Sequence, residues 1–311
     1  MIVIVCPGQG SQTPGFMSPW LELPTFRASI ESMQVASGID LTSHGTLSDA
    51  DTIRDTAVAQ PLIVAAGIAS LAAISSGKSL VELGVGGVAG HSVGEITAAV
   101  AAGVLTETDG IKFVAHRGKA MAEAAALEST SMAAVVGGEQ DVVLARLNEL
   151  GLYPANFNGG SQIVAAGSAE AIAALQAEGP AGARVIPLQV AGAFHTRFMQ
   201  PAVSSLKDFS GSISPSTPAV KLWSNEQGQL VTDGKEFMSL LVSQVSNPVR
   251  WDMCMDAMVS SGVTALIELC PAGTLTGLAK RSMPGIETLA VKTPENIDAA
   301  LSLINNHSQQ N

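Results

Sequence analysis

The chain has 311 residues, 47% hydrophobic and 14% charged, with a formal net charge of −11. That much apolar side chain supports a sizeable core and excludes a disordered chain. The acidic balance excludes nonspecific nucleic-acid binding, and any anionic ligand needs a local basic patch to offset the field.

Three cysteines, Cys6, Cys254 and Cys270, stand far apart in apolar surroundings without a C-x-x-C pair. A disulfide framework or a metal site is not expected, and a reducing compartment, the cytoplasm, is. The length fits one large domain, alone or with a smaller one inserted.

Ile2–Val5 reads as a first strand. The segment lacks a basic flank and stops at Pro7-Gly8, so it does not read as a signal peptide. A Gly-rich loop, residues 7–12, follows. Residues 56–75 read as a helix with Pro61 near its first turn. No apolar stretch reads as a membrane span, because Gly, Ser and Thr interrupt the small-residue runs.

Residues 86–89 read as a short strand ending in Gly90-His91-Ser92-Val93-Gly94-Glu95, with a small-residue helix behind it. Such a G-x-S-x-G elbow lifts a serine hydroxyl above the end of a sheet. It also sets that serine at a helix N-terminus, which favours developing negative charge. The bland alternative is a buried Gly/Ser turn. A helix over about 108–126 carries His116 and Arg117. Strand, helix, strand, helix indicates a parallel α/β architecture.

After Ser129 the pattern changes. Strand 132–136, helix 140–150, strands 153–157 and 163–166, a Ser168-capped helix to Glu178 and strand 184–190 give β-α-β-β-α-β, the ferredoxin-like unit. The expected division is a large core of residues 1–127 and 192–311 and a small inserted subdomain of residues 128–191. The larger unit resumes with strand 221–224, helices 235–245 and 251–260, strand 265–268 and helix 275–280. The polar tail from His307 reads as frayed.

A serine nucleophile needs a base. Of five histidines, His195 lies in a Gly/Ala-flanked loop at the end of the small unit, where loops line clefts. His44 reads as a loop residue and His91 as a packed structural one. No acidic third partner stands out. A carbonyl can fix the imidazole tautomer instead, and the turn Gln244–Pro248 is a candidate. An oxyanion hole would use the Val93 N–H and Gln9. Arg117 lies in an Ala/Val-rich helix, where a guanidinium is costly unless paired. It reads equally as a carboxylate clamp or as an ion pair with Glu95 or Glu123.

Taken together, these motifs resemble the malonyl-CoA:acyl carrier protein transacylase family. The likeness rests on residues 7–12, Gln60-Pro61, residues 90–95, Arg117–Met121, Gly192–His195, Gln244 with Asn247–Trp251, and residues 271–278. It implies an α/β-hydrolase-like core with a ferredoxin-like insert, agreeing with the reading of the elements. It implies that Ser92 is acylated, that His195 is base and then acid, and that the Gln244 main-chain carbonyl orients His195. Gln9 and Val93 would form the oxyanion hole, and Arg117 would grip the malonyl carboxylate. Phe194 would crowd a branched acyl group, and Asn156 and Asn158 would face the ligand.

The implied substrates are malonyl-CoA and an acyl carrier protein that brings its own phosphopantetheine. No metal or resident cofactor, no nucleic acid and no membrane is implied, and a monomer suffices. Lys119, Arg197, Arg250, Lys280 and Arg281 are candidates for carrier docking. The competing enzyme reading is a serine esterase or thioesterase, which has little use for Arg117. A non-catalytic scaffold would need an inert Ser92.

Overall fold

The computed structural model describes residues 1–308, with the side chain of Ser308 excepted. Its ten strands are β1 (Ile2–Cys6), β2 (Gly87–Gly90), β3 (Thr130–Gly137), β4 (Tyr153–Gly159), β5 (Gln162–Ser168), β6 (Ala183–Pro187), β7 (Lys221–Trp223), β8 (Val249–Arg250), β9 (Ala265–Glu268) and β10 (Glu287–Ala290).

They form two sheets. The first has the order β10-β9-β1-β2-β7, and every pairing in it is parallel. Its central strand β1, Ile-Val-Ile-Val-Cys, is buried throughout, as a strand covered on both faces must be. The mixed α/β fold with a parallel sheet is the one expected from the strand–helix alternation.

The second sheet has the order β6-β3-β5-β4-β8. Strands β3 to β6 pair antiparallel, with the helices Gln140–Glu149 and Ala169–Ala177 between them in sequence. Counted within this unit, the order is fourth, first, third, second, the ferredoxin-like arrangement. The sheet gains a fifth strand from outside the unit, because β8 adds parallel to β4. Strand β6 ends at Pro187, short of the expected 190. That frees Leu188 and Val190 to line a cavity.

The helices form where caps and apolar faces allow. Thr106 caps the helix Glu107–Ala125 by accepting from Asp109 N–H, and Ser168 caps its helix through Ala171 N–H, as expected. The helix Thr56–Ser75 starts at Asp55, whose carboxylate accepts from Ala57 N–H. Pro61 lies inside it rather than in its first turn. This helix is long and apolar enough to cross a membrane by length and composition alone, contrary to the sequence reading. It is instead a buried core helix packed against the helices Pro24–Ser37 and Glu107–Ala125.

Other segments also depart from expectation. His44 lies on a short helix, Leu41–Thr46, capped by Asp40. His307 is not frayed. It belongs to the helix Ile297–Ser308 and hydrogen-bonds to Thr264 Oγ1 and Glu287. The rest of the expected frayed tail, residues 309–311, lies outside the described residues.

Candidate active site

The site grows from the carboxyl end of β2. The strand runs into the sharp turn Gly90–Gly94 and then into the helix Gly94–Ala101. Ser92 sits at φ 53°, a left-handed conformation that costs a non-glycine residue roughly 1–3 kcal/mol. Two glycines make the turn sterically feasible. A Cβ at Gly90 would fall 2.1 Å from the Gly94 carbonyl carbon, and one at Gly94 would fall 2.2 Å from the Cys6 oxygen.

Ser92 Oγ lies 2.7 Å from His195 Nε2, and His195 Nδ1 lies 2.9 Å from the Gln244 main-chain oxygen. A carbonyl only accepts, so Nδ1 carries the proton and Nε2 accepts from the serine hydroxyl. The tautomer is therefore the one a general base needs. His195 also has a positive φ, 61°, and its N–H donates to Val245 O, so the loop that carries it is tied to the turn that orients its ring. The helix expected to run to 245 ends at Ser243. A single 3-10 turn, Gln244–Ser246, then presents the acceptor. His195 is 5% exposed. Burial first, and the nearby Arg117 charge second, push its pKa down to about 3, so the imidazole is neutral across the ordinary pH range.

Arg117, 1% exposed, makes neither of the expected ion pairs by direct contact. Its Nη1 donates to Gln60 Oε1 at 2.6 Å and its Nη2 to Gln244 Oε1 at 2.9 Å. Glu123 pairs with Lys119 instead. Glu95 stands one residue further back, where the Gln244 side-chain amide donates to it. Burial pushes the Glu95 carboxyl up to about 8 and the Arg117 guanidinium down to about 10, and their mutual attraction opposes both shifts. Arg117 does not itself line the cavity in front of Ser92, but Gln60, which holds it, does; a carboxylate displacing that amide would give the cation a stronger partner.

A cavity of about 370 Å³ opens in front of Ser92 and His195. Gln9, Gln60, Val93, Asn156, Asn158 and Phe194 all line it, as do Met121 and Met132. The Gln9 side chain is turned aside and donates to Arg54 O at 3.3 Å. The main-chain N–H groups of Gln9 and Val93 have no acceptor among the described residues. Asn158 Oδ1 accepts from His91 Nε2 at 2.8 Å, and His91 also meets Trp251 edge-on. That is the packed structural role expected of His91.

Of the basic residues singled out, only Arg281 lines this cavity. Arg250 is paired with Asp252 over the Phe157 ring, and Arg197 lies over Phe198 and near Tyr153. Among the described residues no group of three or more His, Cys, Asp or Glu is placed to hold a metal ion. The three cysteines are free and buried, and burial raises their thiol pKa values.

Two residues of the site, Asn225 and Gln60, are not evident from sequence reasoning. Both contact the reactive groups or their partners directly. Gln60 belongs to a motif that carries the resemblance, and that motif is the only sequence signal pointing to it. Asn225 gives no signal at all, because it reaches Ser92 across 133 residues of sequence.

A strained serine elbow, a carbonyl-oriented imidazole and a parallel sheet beneath them define a serine enzyme that works through an acylated hydroxyl. The chain is an acyltransferase. A profile of the acyl transferase domain matches residues 3–295, and the chain belongs to that family. Over 308 residues it is 45% identical to the malonyl CoA-acyl carrier protein transacylase of Mycobacterium bovis, covering 97% of this chain and 100% of the relative. It is 32% identical to the transacylase of the same name from Escherichia coli K12, covering 96% of this chain and 98% of the relative. Superposition on the crystal structure of MCAT from Mycobacterium tuberculosis gives a TM-score of 0.91 at 45% identity, over 97% of this chain and 99% of that one.

Proposed function

We propose that this chain transfers malonyl groups from malonyl-CoA to the phosphopantetheine thiol of an acyl carrier protein, supplying extender units for fatty acid or polyketide synthesis. Malonyl transfer is the activity named for the relatives above, and a neighbouring structure pairs a malonyl-transacylase with a type II polyketide acyl carrier protein. One observation carries the substrate choice. The guanidinium of Arg117 is buried beside the reactive pair, and among the described residues its hydrogen bonds go to two glutamine oxygens.

In the first half-reaction Ser92 Oγ attacks the thioester carbonyl and its proton passes to His195 Nε2. The main-chain N–H groups of Val93 and Gln9 receive the oxyanion. The C–S bond breaks, and the coenzyme A thiolate takes the proton from His195. In the second half the carrier thiol gives its proton to His195 and attacks the malonyl ester, and Ser92 Oγ leaves and is reprotonated. The kinetics are ping-pong. The malonyl carboxylate replaces one of the glutamine oxygens on Arg117. Acetyl-CoA offers no such partner and is bound more weakly. The chemistry needs no metal or resident cofactor, and the site works as a monomer in the cytoplasm. Phe194 limits the space beside the acyl group, Asn156 and Asn158 form the far wall, and Arg281 is the basic residue nearest the entering carrier arm.

Intact-mass analysis tests this reading. Wild type mixed with malonyl-CoA gains a malonyl adduct that carrier protein discharges, and Ser92→Ala gains none. Arg117→Ala loses its preference for malonyl over acetyl. Release of free malonate without a thiol acceptor would instead make the protein a hydrolase.

A further inference from the structure

We propose that Asn225 is a positioning residue for the nucleophile, and that Glu95 ties it to the acceptor that orients the base. The proposal rests on Ser92 and His195 being the reacting pair.

Asn225 lies just beyond β7, which runs parallel beside the elbow strand β2, so it meets the elbow at the same end of the sheet. It is 1% exposed. Its Oδ1 accepts from Ser92 N–H at 2.7 Å and its Nδ2 donates to Gly90 O at 2.7 Å. One primary amide therefore grips the turn on both sides of His91. The turn holds Ser92 in a left-handed conformation, and a strained residue keeps its place only where its surroundings over-determine it.

The same residue leads to the base. Asn225 N–H donates to Glu95 Oε1 at 2.6 Å, and Gln244 Nε2 donates to Glu95 Oε2 and also reaches Asn225 Oδ1 at 3.3 Å. The Gln244 carbonyl then accepts from His195, and His195 meets Ser92. Five residues form a closed ring: Ser92, Asn225, Glu95, Gln244, His195. Its polarity is fixed. Arg117 can only donate, so it takes Gln244 Oε1 and turns Nε2 toward Glu95. Glutamate presents two acceptor oxygens there and glutamine only one. Neither Asn225 nor Glu95 lines the cavity, so both act on the reaction through Ser92 and His195.

The test compares Asn225→Ala, Asn225→Asp and Glu95→Gln with wild type by the single-turnover rate of Ser92 modification. Two reagents are used, malonyl-CoA and a fluorophosphonate, which reports serine activation without needing Arg117. Asn225→Asp keeps the acceptor for Ser92 N–H but sets a carboxylate oxygen against the Gly90 carbonyl. Misplacement of the hydroxyl predicts a loss of about 10–100-fold per folded molecule with both reagents. The malonyl-CoA KM should stay within about twofold, since a group acting only on the reacting atoms changes kcat. Glu95→Gln, nearly equal in volume, keeps the test open if the Asn225 variants do not fold. Wild-type modification rates in folded variants, with only a lower Tm, would overturn the proposal, as would an effect confined to KM. Failure of wild type itself to react with either reagent would instead discard Ser92 as the nucleophile.

Discussion

Gln244 holds His195 through its main-chain oxygen and Arg117 through its side-chain oxygen. One residue thus sets the imidazole tautomer and occupies the cation proposed to bind the substrate's carboxylate. The two tasks fall to one residue because the helix before it stops at Ser243 and the following 3-10 turn, whose closing Asn247 N–H donates to the same carbonyl, aims that oxygen's second lone pair at the imidazole.

The pH dependence follows from the burial of His195. With its folded pKa pushed down to about 3, the base stays neutral from there upward. The acylation rate should show no His195 limb near the ordinary histidine value of about 6.5, and the His195 limb should appear only as pH drops toward about 3. Between its folded and unfolded values the unfolded chain binds more protons at this residue, so stability rises with pH in that window and is lost as pH falls through it. Thermal melts of wild type against His195→Gln, from about pH 7 down to about pH 4, should show wild type losing Tm faster. Parallel curves would contradict this.

The elbow tolerates no side chain at Gly90. A Cβ there meets the carbonyl carbon of Gly94 and the Glu95 nitrogen, which belong to main chain and cannot swing away. Gly90→Ala should cost about 3 kcal/mol or more in denaturant unfolding. Gly277 is the contrasting case. It sits in the helix Thr274–Ser282, and a Cβ added to it would meet nothing within 4 Å, so Gly277→Ala should raise stability by about 0.4–1 kcal/mol.

Glu268 is fully buried at the end of β9, and its carboxylate accepts from Gly273, Leu275 and Thr276 N–H. These are the orphan donors at the start of the helix Thr274–Ser282, and Thr274, Leu275 and Leu278 form one wall of the cavity. Glu268→Ala strands these donors and should cost about 3 kcal/mol or more, with a raised KM for the coenzyme A thioester. Glu268→Gln, which keeps one acceptor, should lose less. Denaturant titration and steady-state kinetics on both variants check the order.

Phe194 is buried against the cavity directly before His195. Crowding of this kind is worth about 1–3 kcal/mol. Phe194→Ala should therefore improve the relative use of methylmalonyl-CoA over malonyl-CoA, up to about a hundredfold. Competition between the two thioesters, read by the mass of the acyl-enzyme, measures the ratio.

The elements that carry the chemistry are legible where their signal is local. The Gly90–Gly94 elbow, the strand β1 and the Ser168 cap follow from glycines, β-branched runs and capping residues within a few positions of one another. The ferredoxin-like unit follows from the change of period after Ser129. Residues 13–55 and the helices Gln200–Ser210 and Ile297–Ser308 carry no comparable signal, and His44 and His307 lie on helices where a loop and a frayed tail are expected. These segments are mixed in composition and owe their form to what they pack against.

Local pattern places a serine at a sharp turn, an imidazole in the loop ending the small unit and a guanidinium in an apolar helix. Their partners are set by the way distant segments pack. Arg117 could have paired with Glu95 or Glu123 by spacing alone, yet it faces Gln60 and Gln244, and Asn225 reaches the elbow from the end of the neighbouring strand. Hydrogen bonds depend on direction and on contacts across distant segments, and the parallel sheet brings those segments together without leaving a trace in the local pattern.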